Sequence, residues 1–436
     1  MTRRIKFIGI AVVAILLVLA AIFVPRLVRS LDTSADDVAD ARVLAADAGP
    51  PDPAAISRGR IVAVAADCAA CHTRPGGGAY AGGYSLQTPF GAILSTNITP
   101  DRKTGIGNWT ERDFFRAVRH GRSPDGLLYP AMPYTAYVQI NDTDMHDLWA
   151  YVRSLKPVPS DSGGTHLSFP YNIRLLVAGW NMLFFDNRPF AVAPDRPAEW
   201  NRGRYLVDAL GHCAACHSPK NMLGADRGGK YLHGGTLQGW FAPELTNGVA
   251  HGLGSWSRAD IVEYLKTGSN GHAVAAGPMA EAVEHSTQFI PERDLAAMAT
   301  YLKSLPGTEP GARTPLAAAD PAMRRGAHIY SVQCSACHAP RGQGIAGMVT
   351  RLSNNPLVRA PDPSSLIHVV LKGGRAAVTD SNPTGAGMPA FGWKLDDADA
   401  AAVLTYIRNS NGNAAPAVTA KQVAALRGDL RARSPM

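Results

Sequence analysis

All six cysteines of the chain fall in three pentapeptides of one design: Cys68-Ala69-Ala70-Cys71-His72, Cys213-Ala214-Ala215-Cys216-His217 and Cys334-Ser335-Ala336-Cys337-His338. On a helix, thiols at this spacing lie about one turn apart, so both can add across the vinyl groups of one haem while the adjacent imidazole meets the iron. A lone C-x-x-C also suits half a zinc site or a thioredoxin-like redox pair. Here every copy is followed at once by His, and no cysteine remains for a disulfide or a complementary zinc pair. The pattern therefore calls for three covalently bound haem c groups, with His72, His217 and His338 as iron ligands.

The far face of each iron decides the chemistry. Met132, Met279 and Met388 stand at equivalent places, in proline-stiffened loops after a short middle helix and before a last one. A thioether is a soft, neutral donor, and His/Met coordination raises the reduction potential. Met145 and Met298 lie on apolar helix faces and read as core fillers. His120, His212, His272 and His368 are rival ligands, but none recurs in all three repeats, so they read as surface groups or groups behind the ligands. If both faces of every iron are taken by protein, no substrate reaches the metal and the haems relay single electrons. There is no P-loop, dinucleotide fingerprint or G-x-S-x-G elbow. An independent haem enzyme, such as a peroxidase, would need an open sixth position. A free-standing carrier between respiratory complexes is the other alternative.

The elements that must position these groups form a domain-sized internal repeat. The first haem domain is expected over 56–157, with an opening helix Arg58–Ala66, a middle helix Asp113–Arg119 begun by Thr110 and stopped by Gly121, and a closing helix Asp144–Leu155. The second spans 200–307, with helices Trp200–Leu210, Asp260–Lys266 stopped by Gly268, and Glu292–Leu305. The third spans 321–412, with helices Pro321–Gln333, Ser364–Lys372 stopped by Gly373, and Asp396–Arg408. It lacks the glycine-rich tryptophan turn shared by Gly105-Ile106-Gly107-Asn108-Trp109 and Gly252-Leu253-Gly254-Ser255-Trp256. Gly59, Gly203 and Gly326 match in the opening helices, and Tyr151, Tyr301 and Tyr406 in the closing ones. The pairing predicts close helix crossings with an aromatic filling each.

Linkers are expected at 31–55, 158–199 and 308–320, and a tail at 413–436. Tyr171–Phe185, in the second linker, is unusually apolar. It reads as packing between the first two domains, with a place in the membrane interface or under a partner subunit as the alternative. A net charge of +8 spread over 436 residues argues for a solvated basic surface and against nucleic acid. Arg3, Arg4 and Lys6 precede an apolar run from Phe7 to about Val24, just long enough to cross a bilayer, and Arg26 and Arg29 follow it. Residues 1–30 therefore read as a retained N-terminal transmembrane helix, with a cleaved signal peptide as the rival. Either reading puts the haem domains on the periplasmic side of the cytoplasmic membrane.

Thr88-Pro89-Phe90-Gly91, Ser95-Thr96-Asn97-Ile98-Thr99-Pro100-Asp101, Ala117-Val118-Arg119-His120-Gly121 and Tyr129-Pro130-Ala131-Met132-Pro133-Tyr134 closely resemble the triheme cytochrome c subunit of acetic-acid-bacterial membrane-bound dehydrogenases. The likeness extends from Ile56 to Arg427 and includes Gly211-His212-Cys213 and the Met388 loop. It implies a mainly α protein of three tandem class I cytochrome c domains, with Met132, Met279 and Met388 as axial ligands. It also implies electron transfer from a catalytic subunit to ubiquinone. That partner would be a pyrroloquinoline-quinone alcohol dehydrogenase, a flavin gluconate or sorbitol-type dehydrogenase, or a molybdopterin aldehyde dehydrogenase with an iron-sulfur small subunit. The apparent N-terminal span, unlike the cleaved leader of the alcohol dehydrogenase cytochromes, tilts the expectation slightly toward the aldehyde type.

Overall fold

The computed structural model describes residues 52–308, 311 and 313–433, together with Ala21 and Pro25. Each repeat opens and closes with a helix, and the two cross. Pro53–Ala65 packs on Asp142–Ser154, Ala198–Tyr205 on Glu292–Ser304, and Pro321–Gln333 on Asp397–Arg408. Glycine makes the crossings this close. A methyl group added at Gly59 would stand 1.8 Å from the Asp147 carbonyl oxygen, at Gly203 1.9 Å from that of Ala297, and at Gly326 2.2 Å from that of Ala402. Tyr151, Tyr301 and Tyr406 border the same three points. The paired glycines and tyrosines seen in the sequence are thus three copies of one packing device.

An ion pair flanks each crossing. The arginine just before each glycine reaches an aspartate of the closing helix: Arg58 to Asp147, Arg202 to Asp294 and Arg325 to Asp399, each at 2.7 Å. An Arg-Gly dipeptide in every opening helix is the sequence signal for this, and the sequence reading passed over it.

The middle helices of the first two repeats begin with reciprocal caps. In Glu111–His120 the pair is Thr110 and Asp113; in Arg258–Thr267 it is Ser257 and Asp260. Gly121 and Gly268 end them at φ 63° and 77°, where a side chain is strained. The third, Ser364–Lys372, has no such reciprocal pair; there the Asp362 carboxylate accepts from the Ser364 N–H at 2.8 Å. In the second repeat the opening helix turns after Tyr205 into a π-helical turn, Leu206–Leu210, so the expected single helix Trp200–Leu210 is two segments.

Small antiparallel hairpins complete the first two units. Ser85–Thr88 pairs with Gly91–Leu94, which also takes His166–Leu167 from the second linker; His233–Leu237 pairs with Trp240–Glu244. The first two repeats share one hydrophobic core, running from Val62, Phe115 and Trp149 through Leu206 and Leu210 to Leu295 and Leu302. Across their junction the Tyr205 hydroxyl donates to Asp144 at 2.7 Å and accepts from the Asn141 backbone N–H at 3.2 Å. The third repeat has a separate core, which includes Val403, Leu404 and Val423. The stretch after Gly412, expected as a tail, carries the helix Ala420–Arg433, whose Arg427 pairs with Asp397 at 2.7 Å.

The expected fold class needs one correction. No helix among the described residues is long and apolar enough to cross a membrane. The apolar helix Leu176–Phe184 has nine residues, about 13 Å of rise against a hydrocarbon core of about 30 Å. Apart from Ala21, the run from Phe7 to Val24, on which the transmembrane expectation rested, lies outside the described residues. The described architecture is three tandem helical units without a spanning helix.

Candidate haem-binding centres

Each C-x-x-C-H segment forms its own short helix after the opening helix: Cys68–His72, Ala214–His217 and Ser335–His338. The thiols are free. Burial pushes Cys68 and Cys213 up to about 12, so both are neutral thiols rather than thiolates at ordinary pH.

The three histidines share one device. Nδ1 of His72 donates to the Thr96 carbonyl at 2.7 Å, His217 to Pro243 at 2.6 Å, and His338 to Thr350 at 3.2 Å. A carbonyl only accepts, so the proton sits on Nδ1 and Nε2 keeps its lone pair for a metal. Burial lowers all three imidazoles from their ordinary value, which favours the neutral form a ligand needs. Backbone carbonyls leave no mark in a sequence, and these three partners had no signal there.

The methionines differ in setting. Met132 packs against the core that Cys68 also touches, and Met388 against the core that Cys334 touches. Met388 sits in the strand Gly387–Met388, paired to Gly374–Arg375. Met279 begins the helix Pro278–His285 and lies in a small cluster with Ala275, Val283 and Ala377, joined to the larger core through Tyr264. Met145 and Met298 are buried at 0% and 3% exposure, as core fillers should be.

The rival histidines have other partners. His120 bonds Asn187 at 2.9 Å, His212 meets the edge of Tyr137, His272 stacks on Trp256 with Asp260 at 3.5 Å, and His368 stacks on Trp240 with centroids 4.0 Å apart. The last pair bridges the second and third repeats, where Ser365 Oγ also accepts from the Phe241 N–H at 2.8 Å. The first two centres are neighbours as well, because the helix Pro278–His285 of the second repeat lies against Cys68–His72 of the first.

The residues fit a haem on a separate ground. The Trp256 indole N–H is buried with no acceptor among the described residues. A buried donor of this kind costs free energy unless an acceptor meets it, and a haem carboxylate is an acceptor of the right chemistry. Small helical units, each with a two-thiol helix and an imidazole fixed by a carbonyl, define a c-type haem protein.

The chain belongs to the cytochrome c family: the family model "Cytochrome c" matches residues 56–156, 201–306 and 323–411. It therefore carries covalently bound haem c and works in electron transfer. It is 40% identical to the fructose dehydrogenase cytochrome subunit of Gluconobacter japonicus over 85% of this chain and 82% of that one. It is 41% identical to the gluconate 2-dehydrogenase cytochrome c subunit of Pantoea cypripedii, over 86% of this chain and 90% of the relative. With the cytochrome c subunit of the alcohol dehydrogenase (quinone) of Gluconobacter oxydans, strain 621H, it shares 39% identity over 88% and 84%.

Proposed function

We propose that the chain is the electron-transfer subunit of a dehydrogenase complex, carrying three haems and passing electrons from a catalytic partner to ubiquinone. The observation that carries this reading is likeness over nearly the full length, all three repeats included, to cytochrome subunits of fructose, gluconate and alcohol dehydrogenases. Those relatives favour a partner that oxidises a hydroxyl group of an alcohol, sugar or sugar acid. The leaning toward aldehyde rested on the N-terminal span and has no other support. The order of basic residues before an apolar run supports a periplasmic setting for the haem units.

In this reading Cys68 and Cys71, Cys213 and Cys216, and Cys334 and Cys337 form the thioether links. His72, His217 and His338 would hold the iron through Nε2, and Met132, Met279 and Met388 would supply its sulfur ligands. Haem iron, when bound, supplies one-electron transfer at each centre. The protein's part is to fix the imidazoles through Thr96, Pro243 and Thr350, to fill the iron's remaining position with a methionine, and to hold the first two centres together through their shared core.

The purified complex should show haem reduced on adding the partner's substrate and should reduce a ubiquinone analogue. Haems that stay oxidised with every alcohol, sugar and sugar acid tried would sink the proposal. Met388→Ala should remove about one third of the far-red sulfur-to-iron absorption, lower the potential of one haem in three, and let the reduced chain bind carbon monoxide at that haem. An unchanged band would remove Met388 from the ligand set. Trp256→Phe should shift the potential of the second haem alone and leave the other two unmoved; three unchanged potentials would show that the indole N–H has a different acceptor.

A further inference from the structure

The helix Leu176–Phe184 is inside out. Its polar side chain faces inward, where Asn181 accepts from the buried Tyr134 hydroxyl at 2.6 Å, beside buried Val177 and Ala178. Trp180 gives its N–H to the Leu223 carbonyl at 2.9 Å, which ties the helix to the neighbouring loop. Leu175, Leu176 and Leu183 instead point to solvent at 63%, 52% and 58% exposure. The packing expected of this linker therefore accounts for one face only. Phe169 in the same linker is exposed too, as are Met222 and Leu223 on the loop that Trp180 bonds.

We propose that this face seats on the surface of an anionic phospholipid bilayer, without crossing it. Two features select lipid over a protein partner. Exposed leucines gain from entering the headgroup and acyl boundary, whereas leucine is under-represented among the residues that carry protein–protein affinity, where Trp, Tyr and Arg dominate; here the tryptophan N–H is already engaged within the chain. The charge is also one-sided. No acidic residue stands between Asp161 and Asp186, where Arg174 is exposed while bonded to the Leu127 carbonyl, and in the adjoining loop Lys220 pairs with Asp226, which leaves Arg227 and Lys230 without an acidic neighbour in that loop. An apolar face carried by chain segments with an excess of cations matches anionic headgroups. The proposal goes beyond the electron-transfer reading and does not depend on which haem ligands or acceptor the chain uses.

The test uses the full chain with its haem attached and follows amide hydrogen exchange with and without vesicles. Vesicles of phosphatidylcholine mixed with phosphatidylglycerol should protect residues 173–185. The triple variant Leu175→Ser, Leu176→Ser, Leu183→Ser should lose that protection and bind roughly tenfold less tightly. Lys230→Glu leaves the leucines in place and should weaken binding to the mixed vesicles more than to phosphatidylcholine alone. Unchanged haem spectra in both variants would show that the fold is intact. Absence of vesicle binding overturns the proposal, as does binding that leaves 173–185 unprotected, since attachment would then lie elsewhere. Protection that appears only when the catalytic subunit is added would make this a protein-docking face. Reduction of the haems by substrate is read separately, so failure here and failure of the electron-transfer reading are distinguishable.

Discussion

Valine at position 203 is expected to destabilise the second repeat by about 3 kcal/mol, at the upper end of what overpacking costs. A Cβ at this position would lie 1.9 Å from the Ala297 carbonyl oxygen and 3.0 Å from the Tyr301 Cβ, and backbone cannot swing aside as a side chain can. The opening and closing helices would have to move apart, and the interhelical bond of Arg202 to Asp294 would go with them. Alanine should cost less, about 2 kcal/mol, because its better helix propensity returns roughly 1 kcal/mol relative to glycine. Gly179 is the control: it is also helical, and an added Cβ there meets nothing within 4 Å, so Gly179→Ala should be neutral or mildly stabilising. Denaturant unfolding followed at the haem absorption band measures the difference. Equal midpoints for Gly203→Val and Gly179→Ala would mean that the helix crossing is not held by its glycine.

The outcome is informative because this crossing was among the features most legible from residues alone. A glycine and a tyrosine at matching places in three repeats can be seen in one chain, and so can three copies of Cys-x-x-Cys-His. The caps were legible too, since Thr110 with Asp113 is local chemistry that the chain cannot easily express otherwise. Contacts between residues far apart left less trace. Nothing near Tyr205 announces that its hydroxyl meets Asp144 and Asn141 of the preceding repeat. Nothing near Trp240 announces His368. The single core shared by the first two repeats belongs to the same class, because periodicity reports that a face is buried but not against what. The Phe7–Val24 run shows the opposite difficulty. Its length and flanks are strong local signals, yet hydropathy alone does not separate a span from a leader.

Arg408 is the clearest case of a residue that sequence reading could not value. It ends the closing helix of the third repeat, where a cation suits the helix dipole, and it reads there as an ordinary surface arginine. In the structure it is 0% exposed. Its guanidinium donates through Nε to the Pro416 carbonyl at 3.0 Å, through Nη1 to Val358 at 3.0 Å and through Nη2 to Ala360 at 2.8 Å. Burial pulls it down to about 10. No carboxylate forms an ion pair with it among the described residues, so three backbone carbonyls satisfy the charge, and one planar fork ties both chain segments to the helix end. Arg408→Met would keep much of the volume but leave those carbonyls without donors, at about 1–3 kcal/mol for each one that water cannot reach. The expected loss is therefore about 3 kcal/mol or more. Lysine should rescue little, since a point charge on a flexible stem cannot reproduce the fork. Amide exchange in 356–360 and 413–419 should accelerate in both variants, together with a lower unfolding midpoint for the third haem unit. Exchange in the first two repeats, which have their own core, should be unaffected. A lysine variant as stable as the parent would mean that charge alone, and not the fork geometry, holds these segments together.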